Sequence, residues 1–237
     1  MKKFSIITVC LNAPELERTC ESVVSQAFQD FEWIVIDGGS QQKTLDIFKK
    51  YKYRMDYFVS KKDNGVYEAM NQGIQQASGE RLNFLNAGDC YVDQDVLATV
   101  NSFTEIFPDA DVLHGKMRKA PATICFFSDD MISNYIWLPA NIPHQAMFYK
   151  CYLFKKFGNY RTDYKVVSDH EFNFKLFFNN CKFKHIDRLI VDFDTHGISS
   201  TDDQLLLHEQ QKMFEEFFTS LPTTETMARH YHALCAR

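Results

Sequence analysis

Apolar and polar positions along this chain follow one rhythm up to about residue 90 and another beyond it. Phe4 to Leu11 is an unbroken apolar and β-branched run, the pattern of a central strand buried on both faces. Asn12 to Pro14 open a helix in which Leu16, Cys20, Val23, Val24 and Ala27 return at three- and four-residue spacing, giving one buried stripe. Phe31 to Ile36 forms a second strand and ends in Asp37-Gly38-Gly39-Ser40. A helix over 42–50, a strand from Tyr57 to Ser60, a helix from Gly65 to Ala77 and a strand from Arg81 to Leu85 follow. Strict alternation of this kind predicts an α/β fold, an open and mostly parallel sheet with helices on both faces.

Beyond residue 110 the pattern loosens. Short strands are expected at Val112 to His114 and Ala146 to Tyr149, an irregular stretch from Met117 to Ile142, and a helix over Asp169 to Asn179. Aromatic residues thicken here, and Phe126, Phe127, Phe148, Phe154, Phe157, Phe172, Phe174, Phe177 and Phe178 read as core. Asp203 to Phe218 is an amphipathic helix with Leu206, Leu207, Met213, Phe214, Phe217 and Phe218 near one face. Its expected use is packing, and peripheral contact with a membrane is the other use of such a face. The chain reads as one domain over 1–237, with a regular half at 1–110, a looser half at 111–200 and a helical extension at 201–237.

The carboxyl ends of the parallel strands carry Cys10 to Asn12, Asp37 to Ser40, Lys61 to Gly65 and Asn86 to Asp89, all rich in polar or small residues. Open α/β sheets bind ligands at those ends, so these segments are the candidate site. Composition narrows its chemistry. With 237 residues, 45% hydrophobic and 24% charged, the chain buries a core without cross-links. A net charge of -5 with scattered Lys and Arg excludes the basic stripe that nucleic acid requires. The seven cysteines contain no C-x-x-C pair, which fits reduced thiols in cytoplasm. MKKFSIITVCLNAPELE has two lysines before an apolar stretch but lacks a small-residue cleavage site, so it reads as a first strand and not as a leader. No segment approaches the roughly 18 consecutive apolar residues of a spanning helix.

The turn after the first strand, Cys10-Leu11-Asn12-Ala13-Pro14, contains no glycine. A dinucleotide pyrophosphate cannot approach such a backbone, and no Gly-Lys-Ser or Gly-Lys-Thr loop is present, which disfavours nicotinamide, flavin and P-loop enzymes. A bound diphosphate therefore needs another source of positive charge. Asn86-Ala87-Gly88-Asp89 ends an apolar strand, and Asp89 at the sheet's mouth suits a hard divalent cation, magnesium or manganese. A plain strand-to-helix turn with Asp as cap is the alternative reading of those four residues.

Ile6 to Asn12, Ile34 to Ser40, Asp63 to Ile74, Gly79-Glu80 and Phe84 to Asp89 resemble, in order and spacing, the family 2 glycosyltransferases. The resemblance is strongest over residues 4–90 and nearest to the bacterial branch that builds surface polysaccharides such as colanic acid, O-antigen and capsule. It implies a Rossmann-like fold of the GT-A type and an inverting transfer from a nucleotide-diphosphate sugar, the uridine form being the base-rate donor, to a hydroxyl of a glycan or lipid-linked acceptor. Carried over by position, it assigns Thr8, Val9, Asn12 and Asp37 to the base and ribose, and Asp63 and Asn71 to a further nucleotide-facing pair. Asn86 and Ala87 then fall beside the ribose and Asp89 on the metal, with asparagine where the family has the first Asp of Asp-x-Asp. Pro143-His144-Gln145 resembles the segment flanking donor sugar and acceptor, which places His144 and Gln145 there. Asp169 takes the place of the general base, with Glu171 in reserve and Ser168 with Asp169 as plain helix caps in the alternative reading. The chain departs from the family at Thr195-His196-Gly197, where paired glycines are common, and at Gly115-Lys116, where an acidic residue often follows the glycine; the roles of His196 and Lys116 stay open. Readings from other classes are a sugar nucleotidylyltransferase, for which the loop after strand one lacks glycine and basic residues, a nucleotide-sugar-binding module without catalysis, and a scaffold subunit of a polysaccharide-assembly complex.

Overall fold

The structure, a computed structural model, describes residues 1–119, 123–126, 128, 141–195 and 202–220. Its first part alternates β1 (Phe4–Cys10), α1 (Leu16–Val24), β2 (Phe31–Asp37), α2 (Gln42–Tyr51), β3 (Tyr57–Ser60), α3 (Val66–Gln76) and β4 (Arg81–Phe84). There follow β5 (Cys90–Tyr91), α4 (Val96–Ile106), β6 (Val112–Lys119), β7 (Thr123–Cys125), β8 (Met147–Lys150), α5 (Tyr152–Phe157), α6 (Ser168–Phe178), β9 (Phe183–Phe193) and α7 (Asp203–Ser220).

Among the described residues these strands form one nine-stranded sheet in the order β3-β2-β1-β4-β8-β6-β9-β5, with β7 paired to β6. β1 runs parallel to β2 and β4, and β2 to β3. β8 is antiparallel to both β4 and β6, which returns β6 and its parallel partner β9 to the direction of β1. The sheet is therefore mostly parallel, as the alternation predicts. Strand order reverses at β1, where the chain leaves toward β2 on one side and comes back at β4 on the other, and the crevice at such a reversal is where ligands bind.

The continuous apolar run of β1 has a simple cause. Ile7 and Val9 face a core layer with Tyr67 and Met70 of α3 and Phe172 and Phe174 of α6. Phe4, Ile6 and Cys10 face a second layer with Leu16, Cys20 and Val23 of α1, Phe48 of α2 and Val100 of α4. Both faces are dry, so period-two alternation disappears.

Beyond residue 90 the chain holds more regular structure than its pattern suggests. β6 runs on past His114 to Lys119, and β5 and α4 before it and α5 and β9 after it are elements that the hydrophobic pattern does not announce. In β9 the charged residues Lys184, Asp187 and Arg188 break the apolar period, and the strand is specified by its parallel pairing with β6 across register shifts on either side of Lys116. Lys116 there forms an ion pair with Asp187 and lies over the Phe126 ring at 5.4 Å.

α7 packs, as expected. Met213 is fully buried, and Leu205, Leu206, Phe214 and Phe217 lie against the α3–α6 core layer. The Glu209 carboxylate accepts the backbone N–H groups of Lys165 (2.8 Å) and Val166 (2.9 Å), and Glu216 accepts from Tyr164 Oη at 2.9 Å and from Arg161. The helix thereby braces the loop that feeds α6. No described helix is long and apolar enough to cross a membrane.

Candidate active site

Three strand ends are tied together before any ligand arrives. Asn12 adopts φ 52°, a conformation that asparagine tolerates better than most residues. Its N–H donates to Ser40 Oγ at 2.7 Å while its Oδ1 accepts the Gln41 N–H at 2.7 Å. Asn12 thus joins the ends of β1 and β2; α1 starts later, at Leu16, without a side-chain cap. Asp37 closes β2 fully buried. Its Oδ2 accepts the N–H groups of Ser40 (2.9 Å) and Gly39 (3.2 Å) and the hydroxyl of Ser60 (2.6 Å), whereas its Oδ1 is buried with no hydrogen-bond partner. A Cβ on Gly38 would come within 2.8 Å of Asp63 Oδ2, so only glycine lets the Asp63 carboxylate lie against this turn. Asp63 Oδ1 accepts the Gly65 N–H at 3.0 Å, and burial pushes its carboxyl above the ordinary value.

The segment Asn86–Asp89 continues beside β1, with Leu85 N–H on Ile7 O (2.9 Å) and Ala87 N–H on Val9 O (3.0 Å). Gly88 has φ 104°, donates to Thr19 Oγ1 at 2.8 Å, and leaves no room for a Cβ because the Asp194 carboxylate fills that space. Asp89 is 3% exposed and accepts the Asp194 N–H at 2.8 Å. Burial pushes its carboxyl up to about 7, against the Asp194 N–H, the charge of His144 and a hydrogen bond from Gln145. Asn86 Oδ1 is buried without a partner.

Opposite stands a carboxylate with three donors. Asp169, in the first turn of α6, accepts the Tyr67 hydroxyl on Oδ1 at 2.7 Å, and on Oδ2 it takes His144 Nδ1 at 3.0 Å and the Asn141 amide. Burial raises its carboxyl, but the hydrogen bond and charge of His144, with Tyr67 and His170, bring the net direction below the ordinary value. His144 sits in a short helical turn, His144–Ala146, after Pro143. Buried Asn83 fixes the turn from the neighbouring strand, its Nδ2 donating to Gln145 O (2.9 Å) and Met147 O (2.8 Å) and its Oδ1 accepting the Tyr91 hydroxyl (2.8 Å). Ser168 does not cap α6; its hydroxyl donates to Arg161 O.

These groups open on one cleft of about 920 Å³, bordered by Val9, Asn12, Asn86, Ala87, Asp89, His144, Gln145 and Asp169. The other sequence candidates stand elsewhere. Thr8 is fully buried and its hydroxyl accepts Trp33 Nε1–H at 3.0 Å. Asn71 clamps the backbone of Tyr160, donating to its O at 2.8 Å and accepting its N–H at 3.0 Å, so its amide positions the loop before α6 and does not reach the cleft. Asp37, the last residue of β2, and Asp63, in the loop after β3, are not among the residues that border the cleft. Glu171 pairs with Lys175 at 3.0 Å and does not border the cleft. His196 falls outside the described residues. Tyr67, Asn83 and Asn141 are the site residues that sequence reasoning missed. Tyr67 lies inside the Asp63 to Ile74 motif, which was its available signal; Asn141 and Asn83 carried none.

The donor set fits a hard cation. Asp89 is a carboxylate held in a dry place, and the partnerless Asn86 Oδ1 is a second oxygen beside it. No group of three His, Cys, Asp or Glu comes together among the described residues, and magnesium-type ions are commonly held by one or two carboxylates with the remaining positions filled by substrate phosphates and water.

A family model, Glycosyl transferase family 2, matches residues 5–166. A "PGL/p-HBAD biosynthesis glycosyltransferase" of Mycobacterium bovis (strain BCG / Pasteur 1173P2) is 33% identical over 180 residues, covering 74% of this chain and 70% of that protein. An "Uncharacterized glycosyltransferase" of Mycobacterium tuberculosis, Rv1514c, is 32% identical over 201 residues, or 83% of this chain and 76% of that one. Among solved structures, S. aureus TarS 1-349 in complex with UDP-GlcNAc superposes with a TM-score of 0.76 at 19% identity, covering 97% of this chain and 70% of that chain. Mannosyltransferase PcManGT from Pyrobaculum calidifontis, in complex with GDP-Man and Mn2+, gives 0.73 at 14% identity over 98% and 69%. At these identities the structural matches carry the fold, which is of the GT-A kind.

Proposed function

The chain belongs to glycosyl transferase family 2 and is a transferase, and from that premise we propose that it moves a sugar from a nucleotide-diphosphate donor, in the first instance a UDP-sugar, to a hydroxyl of a glycan or lipid-linked acceptor in bacterial surface-polysaccharide synthesis. One observation carries the reading: a single cleft at the β1/β4 reversal holds an oxygen-rich corner, Asn86 and Asp89, facing a hydrogen-bonded carboxylate, Asp169. The S. aureus and Pyrobaculum proteins bind UDP-GlcNAc and GDP-Man in the same fold, which supports a nucleotide sugar as donor.

In this reading Val9, Asn12, Asn86 and Ala87 hold the nucleoside. Asp37 does not border the cleft, and in this reading its partnerless Oδ1 would be uncovered when the nucleoside binds beside Asn12 and would accept a base N–H or ribose hydroxyl, both of which are donors. Asp89, with Asn86, would hold magnesium or manganese, whose chemistry is to offset charge on the departing diphosphate. His144 and Gln145 flank the sugar. The acceptor's proton leaves toward the Asp169 centre while its oxygen attacks the anomeric carbon from the face opposite the diphosphate, inverting the configuration without a covalent sugar intermediate.

Calorimetric titration with UDP, GDP and dTDP, each with manganese and with chelator, tests the reading. Metal-dependent binding of one nucleotide, abolished in Asp89→Ala, is expected, as is retained donor binding without transfer in Asp169→Asn. Absence of binding by any nucleotide under all these conditions overturns it in favour of a scaffold role.

A further inference from the structure

Resting on the transferase reading, we propose that Lys165 selects the acceptor by holding a negatively charged group on it, a phosphate or a carboxylate. Two lysines border the cleft, Lys119 at the end of β6 and Lys165 in the loop before α6, and neither forms an ion pair among the described residues. Lys119 stands opposite Phe193 in the β6–β9 ladder, beside Asp194, whose N–H Asp89 accepts at 2.8 Å. It therefore belongs to the corner given above to the metal and the diphosphate. Lys165 comes from the other wall, ahead of Asp169 in the chain, and shares that wall with Val166 and with Leu206 and Gln210 of α7. In the transferase reading this is the wall that meets the acceptor.

The backbone that carries Lys165 is fixed from beneath. Glu209 of α7 is 6% exposed, and its carboxylate accepts the Lys165 N–H at 2.8 and 3.0 Å and the Val166 N–H at 2.9 Å. A buried carboxylate is costly unless hydrogen bonds satisfy it, and this one is satisfied by two adjacent groups of the loop. Tyr164 and Arg161, just before, are held by Glu216. The loop is thus pinned at Lys165 while the side chain itself stays exposed. Leu206 and Gln210 lie on one face of α7 by their four-residue spacing, so the wall beside the lysine offers an apolar side chain and an amide.

The charge of Lys165 has no counterpart in the protein. The other lysines and arginines of this loop, α6 and α7 are engaged: Arg161 and Lys212 with Asp163 and Glu216, and Lys175 with Glu171. The carboxylates that border the cleft, Asp89, Asp169 and Asp194, form no ion pair with Lys165 among the described residues. An ammonium on a flexible stem is a point charge that suits a phosphate or a carboxylate. A neutral hydroxyl gains less from it, because hydrogen bonds between charged partners are the stronger ones.

The test fills the donor half of the full chain with UDP and manganese and titrates glucose-6-phosphate, glucuronate and methyl glucoside as probes. At least one acidic probe should bind about fivefold or more tighter than the neutral one, and the tighter of the two acids tells phosphate from carboxylate. Raising the salt concentration should weaken the acidic probes alone. The preference should vanish in Lys165→Met and persist in Lys165→Arg, with UDP affinity and melting temperature close to the parent's, since Glu209 holds only the backbone at Lys165. Equal binding of the three probes, binding of none, or a preference intact in Lys165→Met overturns the proposal. A loss of UDP affinity in Lys165→Met as large as the loss of the acidic probe also overturns it and gives the lysine to the donor. A parent chain that binds no UDP sinks the transferase reading, and this proposal with it.

Discussion

Asp37→Asn isolates one hydrogen bond to the nucleotide. In the parent, three donors already occupy Oδ2 at 2.6–3.2 Å, and Oδ1 is buried without a partner. The asparagine keeps its carbonyl where Oδ2 was, because turning the amide round would set its NH2 against the N–H groups of Gly39 and Ser40 and the hydroxyl of Ser60. Its NH2 then occupies the Oδ1 position, where the nucleotide is expected to present a donor, and an acceptor becomes a second donor. A hydrogen bond to a charged group contributes about 1.5–3 kcal/mol, so nucleotide affinity should fall roughly 10- to 150-fold. The fold should survive, since the contacts at Oδ2 persist and a buried charge is removed. Titration calorimetry with UDP and manganese reads the affinity, and urea denaturation reads the stability. Unchanged affinity in Asp37→Asn, with the parent binding UDP, refutes the assignment of Oδ1 to the nucleotide. A collapse of stability would refute the account of its amide orientation.

Asn71→Ala should lower stability by about 1–3 kcal/mol by stranding the Tyr160 N–H and C=O, and should reduce turnover through the displaced loop while UDP affinity stays near the parent value; an equal loss of affinity returns Asn71 to the nucleotide. Asp89→Asn should stabilise the metal-free protein at and above pH 7. The folded Asp89 carboxyl stands at about 7 against an ordinary 3.8, so its favourable contribution is complete below about pH 3.8 and is lost as pH rises through 7, a span worth on the order of 4 kcal/mol at most. Buried His170 sits at about 4, pushed down by desolvation, and acts with the opposite sign over much of that window; the difference between Asp89→Asn and parent denaturation curves cancels it, and a pH-independent difference refutes the account. Gly88→Ala should be destabilised and bind metal weakly, because φ 104° and the Asp194 carboxylate both reject a side chain; parent-like melting and manganese affinity would contradict this.

Local pattern determined the first half of the molecule. The β1 to β4 alternation, the polar strand ends and the lack of a glycine-rich phosphate loop are consequences of burial and backbone approach that each segment expresses by itself. Val9, Asn12, Asn86, Ala87, Asp89, His144, Gln145 and Asp169 border the cleft, and each stands in a motif whose wording resembles a family. What the sequence could not express is where side chains from distant segments meet. Asn71 carried the same polar signal as Asn12, yet one clamps a backbone 89 residues away and the other joins two strand ends at the cleft. Tyr67, Asn141 and His144 converge on Asp169 across separations of 102, 28 and 25 residues. β9 is a strand because β6 offers it a ladder, its charged residues notwithstanding. Such features are decided by long-range pairing of polar groups that burial obliges to find partners, and only the tertiary structure chooses the partner.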